Sequence, residues 1–219
     1  MNKIYELEAL RGIASIYVLL HHTVFHFNII EKKSLLGFFF SFGDVAVMAF
    51  FLLSGFVISM SLNKNTYDFK EYFLHRFIRI YSIVFIAWIL SFLSYYLVNG
   101  MPKFEFLNII GNILMLQDLS GQKIGIVTTP IFNNSPLWSL SYEWWFYMFF
   151  FWHFYLYTKN YKDKLVLFQI SGMLISFFGL IFYTLNHNAI AIFMSYYFIW
   201  FSGALIFLHY MRSSLYTKA

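Results

Sequence analysis

The chain has no cysteine, and only 11% of its residues are charged. The first absence excludes disulfides, haem thioethers and thiolate metal sites. The second excludes a water-soluble globule, which carries about 25% charged residues to cover its surface. Apolar residues stand in the place of charge: 60% of the 219 residues are hydrophobic, 24% are aromatic, and the mean hydropathy is +0.65. This is the composition of an integral membrane protein. Runs of roughly 20 apolar residues predict α-helical spans rather than the alternating strands of a barrel. The net charge of +5 then reports orientation rather than nucleic-acid binding. No cleavable signal peptide is expected, because Arg11 interrupts the first apolar run and no small-x-small site follows it.

The expected fold class is all-α: a polytopic transmembrane helix bundle in a single domain, residues 1–219. Six spans are expected, at about 9–29, 44–62, 80–98, 137–157, 165–184 and 189–208. The stretch "FEFLNIIGNILMLQDL" (104–119) is too short and interrupted to cross, and reads as interfacial or re-entrant. With the N-terminus inside, the cytoplasmic segments hold Lys3, Arg11, Lys64, Lys70, Arg76, Arg79, Lys159, Lys162, Lys164, Arg212 and Lys218. The outer segments hold only Lys32, Lys33, Lys103 and Lys123. That asymmetry predicts N-in and C-in. Gly172, Ser176 and Gly179 form a small-residue seam at which helices pack closely.

Four polar features stand out. In the first span, Arg11 and His22 are separated by eleven helical steps, which brings them within about 20° of one face and about 16 Å apart along the axis. His21 points about 100° away. In the fourth span, Glu143 lies among apolar neighbours, and an intramembrane carboxylate usually faces a protein interior and marks function. Counting along the helices puts His22 about 10 Å, and Glu143 about 9 Å, below the outer surface, so the two could meet across a helix interface. They are then either a functional pair or buried polar glue. Arg11 alone could instead snorkel to lipid phosphates. His22 and His26, at i and i+4, also admit a metal site, but no further ligand cluster accompanies them.

The fourth feature is "YDFKEYFLHRFIRIY" (67–81). As a helix it places Phe69, Phe73, Phe77 and Ile80 on one face and His75, Arg76 and Arg79 on another. It is expected to lie in the cytoplasmic interface, where the arginines bind either anionic lipid or the phosphates of a ligand.

Together, "LEALRGIASIYVLLHH" (7–22), "FFLLSGFVIS" (50–59), "RFIRIY" (76–81) and "LWSLSYEWWFY" (137–147) resemble the acyltransferase-3 family of membrane acyltransferases. The motifs are Arg11 with ten residues before His22, the Phe-Phe-x-x-Ser-Gly run, Arg-x-x-Arg, and Ser-Leu-x-x-Glu, in the family's order. Departures are Met48 where an acidic residue is frequent, with Asp44 one turn earlier, Ser82 in place of a proline, and Trp144 where a second acidic residue often follows Glu143. Family members look longer, with more spans, so the chain is expected to be shortened at its C-terminus.

The resemblance implies a cell-membrane (inner-membrane), multi-pass enzyme using acyl-CoA, acetyl-CoA above all, and a glycan acceptor such as a surface or exported polysaccharide. It implies that Arg76 and Arg79, with Arg11 nearby, hold the phosphates of coenzyme A. His22 would be the general base or carry the acyl group, and Glu143 would orient it. No metal and no nucleic acid are expected; the lipid bilayer and a homo- or hetero-oligomeric partner are. Ser54 and Ser139 are not expected to be nucleophiles, because nothing in the sequence activates them. The rival readings are a small transporter or flippase component, since intramembrane His, Glu and Arg also build proton relays, and an inactive remnant of such an enzyme.

Overall fold

A computed structural model describes residues 5–64, 68–160 and 165–216. Lys3, Lys162, Lys164 and Lys218 lie outside the described residues, as do the side chains of Lys159 and Arg212. The fold is all-helical: α1 (Tyr5–His26), α2 (Leu35–Phe40), α3 (Gly43–Lys64), α4 (Phe69–Asn99), α5 (Phe106–Ile113), α6 (Trp138–Asn160), α7 (Leu165–Asn186) and α8 (Ala189–Tyr216). Among the described residues there is no strand, only an isolated bridge between Gln117 and Thr128. Among the described residues, four helical segments are long and apolar enough to cross a membrane: Leu35–Lys64, Phe69–Asn99, Val166–Asn186 and Ala189–Met211. α1 and α6 coincide in place and length with two further expected spans but are more polar. They are the helices that carry Arg11, His22 and Glu143.

Contacts divide the chain into two compact units, residues 1–64 with 199–219, and residues 65–198. In the first unit, α1 packs on the α2–α3 corner. Tyr17 Oη donates to Phe39 O, and His21 Nδ1 lies 2.6 Å from Phe40 O. The second half of α8 packs on α3 at glycines. A Cβ on Gly55 would strike the carbonyl of Trp200, and one on Gly203 the carbonyl of Leu52. Gly55, part of the Phe-Phe-x-x-Ser-Gly run, thus has a packing reason to lack a side chain, as is common where spans approach closely.

In the second unit, α6 is central. Its aromatic side chains meet α4 through Tyr72–Phe151, with ring centroids 4.8 Å apart, and Tyr81–Trp144 at 5.1 Å. They meet α7 through His153–Phe168 at 4.5 Å, and residues 189–198 of α8 through Phe146–Phe193 at 4.8 Å. The expected small-residue seam is present. Ser176 Oγ turns back to Gly172 O at 3.2 Å, and Gly179 sits against Met194 and Ser195 with no space for a side chain.

The stretch 67–81 is not a separate interfacial helix. Tyr67 lies outside the described residues, and 69–81 is the first part of α4, a 31-residue helix about 46 Å long. Its start is fixed by Asp68, an N-cap whose carboxylate accepts from Glu71 N at 2.7 Å. No glycine or proline follows until Gly100, which closes the helix with φ +78°, so nothing breaks it. Its faces also differ from expectation. The buried stripe is Tyr72, Arg76, Ile80 and Val84, at i, i+4 spacing, while Phe77 is exposed. Arg76 joins the buried face because aromatic rings receive its cation.

Beyond Gly100 the chain folds back along α4 instead of crossing. Tyr81 Oη donates to Ile113 O at 2.7 Å, and Asn134 Nδ2 to Ser91 Oγ at 2.7 Å. α5 has eight residues, or about 12 Å of helix, so 104–119 returns without spanning. The returning segment is fastened by a buried charge cluster. Lys123 Nζ bonds Asp118 Oδ1 at 2.8 Å, stands 3.7 Å from the Trp138 ring centroid, and donates to Tyr142 Oη at 3.3 Å. Tyr142 Oη in turn donates to Asp118 Oδ2. Removing one partner of a buried ion pair costs roughly 3–5 kcal/mol, because the other charge is left uncompensated. Lys123→Met is therefore expected to lower the thermal midpoint in detergent sharply, and Asp118→Asn with Lys123→Met to recover part of the loss. A Lys123→Met protein as stable as wild type would show that the pair contributes nothing.

Candidate functional site

Arg11 is buried, 5% exposed, with its guanidinium 5.0 Å above the Phe50 ring. Its Nη1 lies 3.5 Å from Glu8 Oε1, one turn earlier on α1. This is not a side chain reaching into lipid headgroups. His22 is half-buried and edge-on to His21, with centroids 5.2 Å apart. Asp44, in the first turn of α3, is close enough for its charge to act on His22. His21 is taken by the corner: the Phe40 carbonyl holds its Nδ1, and Gly43 lies flat against its ring. The two adjacent histidines thus have different duties, and His22 is the one without a backbone partner in the described contacts.

In the second unit, Arg76 is 8% exposed and Glu143 4%. The Arg76 guanidinium lies 5.4 Å from the ring centroids of both Tyr72 and Tyr147. Its Nε is buried and has no hydrogen-bond acceptor. Tyr147 Oη donates to Glu143 Oε1, one turn back on α6. Tyr72 Oη donates to the Tyr147 carbonyl at 3.1 Å. Arg76 and Glu143 are therefore joined through one tyrosine. This corrects the estimate by depth, which sets Glu143 near the outer surface and Arg76 at the cytoplasmic interface. The count failed because α4 is longer than a membrane is thick, and α6 begins beside its middle rather than its far end. Glu143 is thus not located by the depth that suggested His22 as its partner. The two residues lie in different units, and their coupling is a matter for kinetics.

Arg79 is exposed, so the two arginines do not form one buried fork. Ser54 is buried, and Ser139 Oγ donates to Pro136 O at 3.3 Å. Among the described residues no group of three or more His, Asp or Glu side chains converges on a metal position. Sequence reasoning missed Tyr147 and Tyr72. The i, i+4 spacings of Tyr147 from Glu143 and of Arg76 from Tyr72 were visible, but the meeting of the two helices was not.

A cavity of about 640 Å³ in the second unit involves none of the expected site residues. It runs along α6 at Trp145, Met148 and Trp152. Trp145 lies about 200° around the helix from Glu143. The groove is thus on the opposite side of α6 from the carboxylate.

The architecture and these buried charges define a helical membrane protein with a polar site inside its second unit. A family model described as "Acyltransferase domain", that of the acyltransferase-3 family, matches residues 4–218, and the chain belongs to that family. No curated protein and no solved structure matches it. Membership implies acyltransferase activity in general.

Proposed function

We propose that the protein transfers an acyl group, most simply acetyl, from cytoplasmic acyl-CoA to a hydroxyl of a cell-surface or exported polysaccharide, within the cell (inner) membrane. The observation that carries this reading is the buried cluster of Arg76, Tyr147 and Glu143 in a member of this family. A guanidinium with an unsatisfied buried N–H is costly, and a phosphate of coenzyme A would relieve that cost. Arg79, one turn on and exposed, would hold a second phosphate.

In the transfer itself, the acceptor oxygen attacks the thioester carbonyl as His22 removes its proton. The new ester C–O bond forms and the C–S bond breaks. The proton passes from His22 to the departing thiolate, which leaves as coenzyme A. An imidazole suits both steps because its ordinary pKa of about 6.5 lets it accept and return a proton near neutrality. The family resemblance implies that Glu143 would orient the imidazole, and the kinetics of the double variant decide that role.

Membranes containing the protein, given acetyl-CoA labelled in the acetyl group and a polysaccharide acceptor, are expected to yield base-labile label on the glycan. Label that crosses the membrane without forming an ester would instead favour a transporter. The reading also requires the N-terminus and the α3–α4 connection to face the cytoplasm and the 100–137 segment to face outward. Because the chain has no cysteine, single cysteines at Lys64 and Gln122, both exposed, report this directly. An impermeant maleimide added to intact cells should label Gln122→Cys and not Lys64→Cys; the reverse pattern would overturn the orientation.

A further inference from the structure

We infer that Tyr147 is a positioning residue that couples donor binding to chemistry, an inference that rests on the acyl-CoA reading above. Its side chain makes two different interactions at its two ends. The ring face lies under the Arg76 guanidinium, 5.4 Å from centroid to Cζ. The hydroxyl donates to Glu143. The residue is 1% exposed, and water does not compete for either contact.

Each contact has a separate physical consequence. A cation over a desolvated aromatic face is attracted to the ring quadrupole. Tyr147 and Tyr72 together hold the guanidinium plane without using its N–H groups, which leaves those donors for an anionic ligand. A carboxylate that accepts a buried hydroxyl is held in one rotamer. Tyr147 thus fixes Glu143 in position and ties that position to the presence of Arg76. The backbone does not depend on these roles. The tie from α4 to α6 at this level includes Tyr72 Oη on the Tyr147 carbonyl, which any residue at 147 can supply. Phenylalanine at 147 keeps the buried ring, so Tyr147→Phe separates positioning from folding, and for Tyr147→Leu the thermal midpoint is read beside its affinity.

The test compares Tyr147→Phe with Tyr147→Leu. Phenylalanine keeps the ring for Arg76 and removes the hydroxyl from Glu143. It is expected to lower kcat by ~10-fold or more, the equivalent of one lost hydrogen bond to a charged group, while the KM for acyl-CoA and the affinity for coenzyme A stay near wild type. Leucine removes both contacts and is expected to lower kcat and also to weaken coenzyme A binding several-fold. In a Glu143→Gln background, Tyr147→Phe should cost little more, because the carboxylate it positions is gone. A Tyr147→Phe enzyme with wild-type kcat, or one that loses coenzyme A affinity as Tyr147→Leu does, overturns the assignment. Binding of coenzyme A by calorimetry is read on the same proteins independently of turnover. If wild type binds coenzyme A but transfers no acyl group, the acyl-transfer reading fails, and equal affinities of the Phe and Leu variants would then sink the coupling. If wild type neither transfers nor binds, both fail.

Discussion

His22→Ala is expected to abolish acyl transfer while leaving coenzyme A affinity within a few-fold of wild type. The imidazole accepts the acceptor's proton, and no methyl group can. Nothing in the first unit suggests that it holds the chain together: among the described contacts its neighbours are the edge of His21 and the charges of Asp44 and His26. Glu143→Gln is expected to be comparably damaging for a different reason. An amide is nearly the same shape, and its carbonyl can still accept from Tyr147, but it carries no negative charge to offset an imidazolium. If the two residues act as a unit, the double variant should be little worse than either single one. Simple multiplication of the two losses would mean that they act separately, and Glu143 would then be assigned to holding the Arg76 cluster.

The control for this experiment is His21, and the structure changes how it should be made. A histidine pointing elsewhere on the helix would be a harmless alanine. Here, however, Nδ1 of His21 is bonded to the Phe40 carbonyl, and its ring fills the space over Gly43. His21→Ala would loosen the corner between α1 and α3. His21→Asn keeps a donor near the Nδ1 position and is expected to retain most activity. Equal loss in His21→Asn and His22→Ala would remove His22 from the chemistry.

Hydropathy located the long helices because a span must be apolar over about 20 residues whatever its neighbours are. It located the intramembrane charges for the same reason: Arg11 and Glu143 violate the local pattern. The seam of Gly172, Ser176 and Gly179 was legible because close helix approach selects small side chains at fixed spacing. What failed was anything that needed the lengths of two helices to be compared. The depth of Glu143 was counted from the start of its own helix. Where that start lies depends on a 38-residue return path, from Gly100 to Leu137 before α6 opens at Trp138, held by Lys123, Asp118 and Asn134. Arg76 was assigned to a polar face on the ordinary rule that arginine faces water. The rule gave way because two tyrosines, from two helices, offered it aromatic faces.

The second large effect separates the two arginines that the sequence treats alike. Arg76→Ala is expected to abolish measurable coenzyme A binding, whereas Arg79→Ala should weaken it by about 10- to 150-fold, the range for hydrogen bonds to a charged group. Arg76 is desolvated, so each charge-assisted bond it makes is stronger than in water, and its loss also uncovers the faces of Tyr72 and Tyr147. Alanine there changes packing as well as charge, so the decisive variant is Arg76→Met, which fills much of the same space between the two rings. With the fold confirmed by an unchanged gel-filtration profile in detergent, Arg76→Met should still fail to bind coenzyme A. Arg76→Lys should restore only part, because an ammonium cannot offer the planar fork or lie flat between two rings. A folded Arg76→Met protein with normal affinity would make Arg76 a structural cation of the α4–α6 interface, and the donor's phosphates would have to be sought at Arg79 and Arg11.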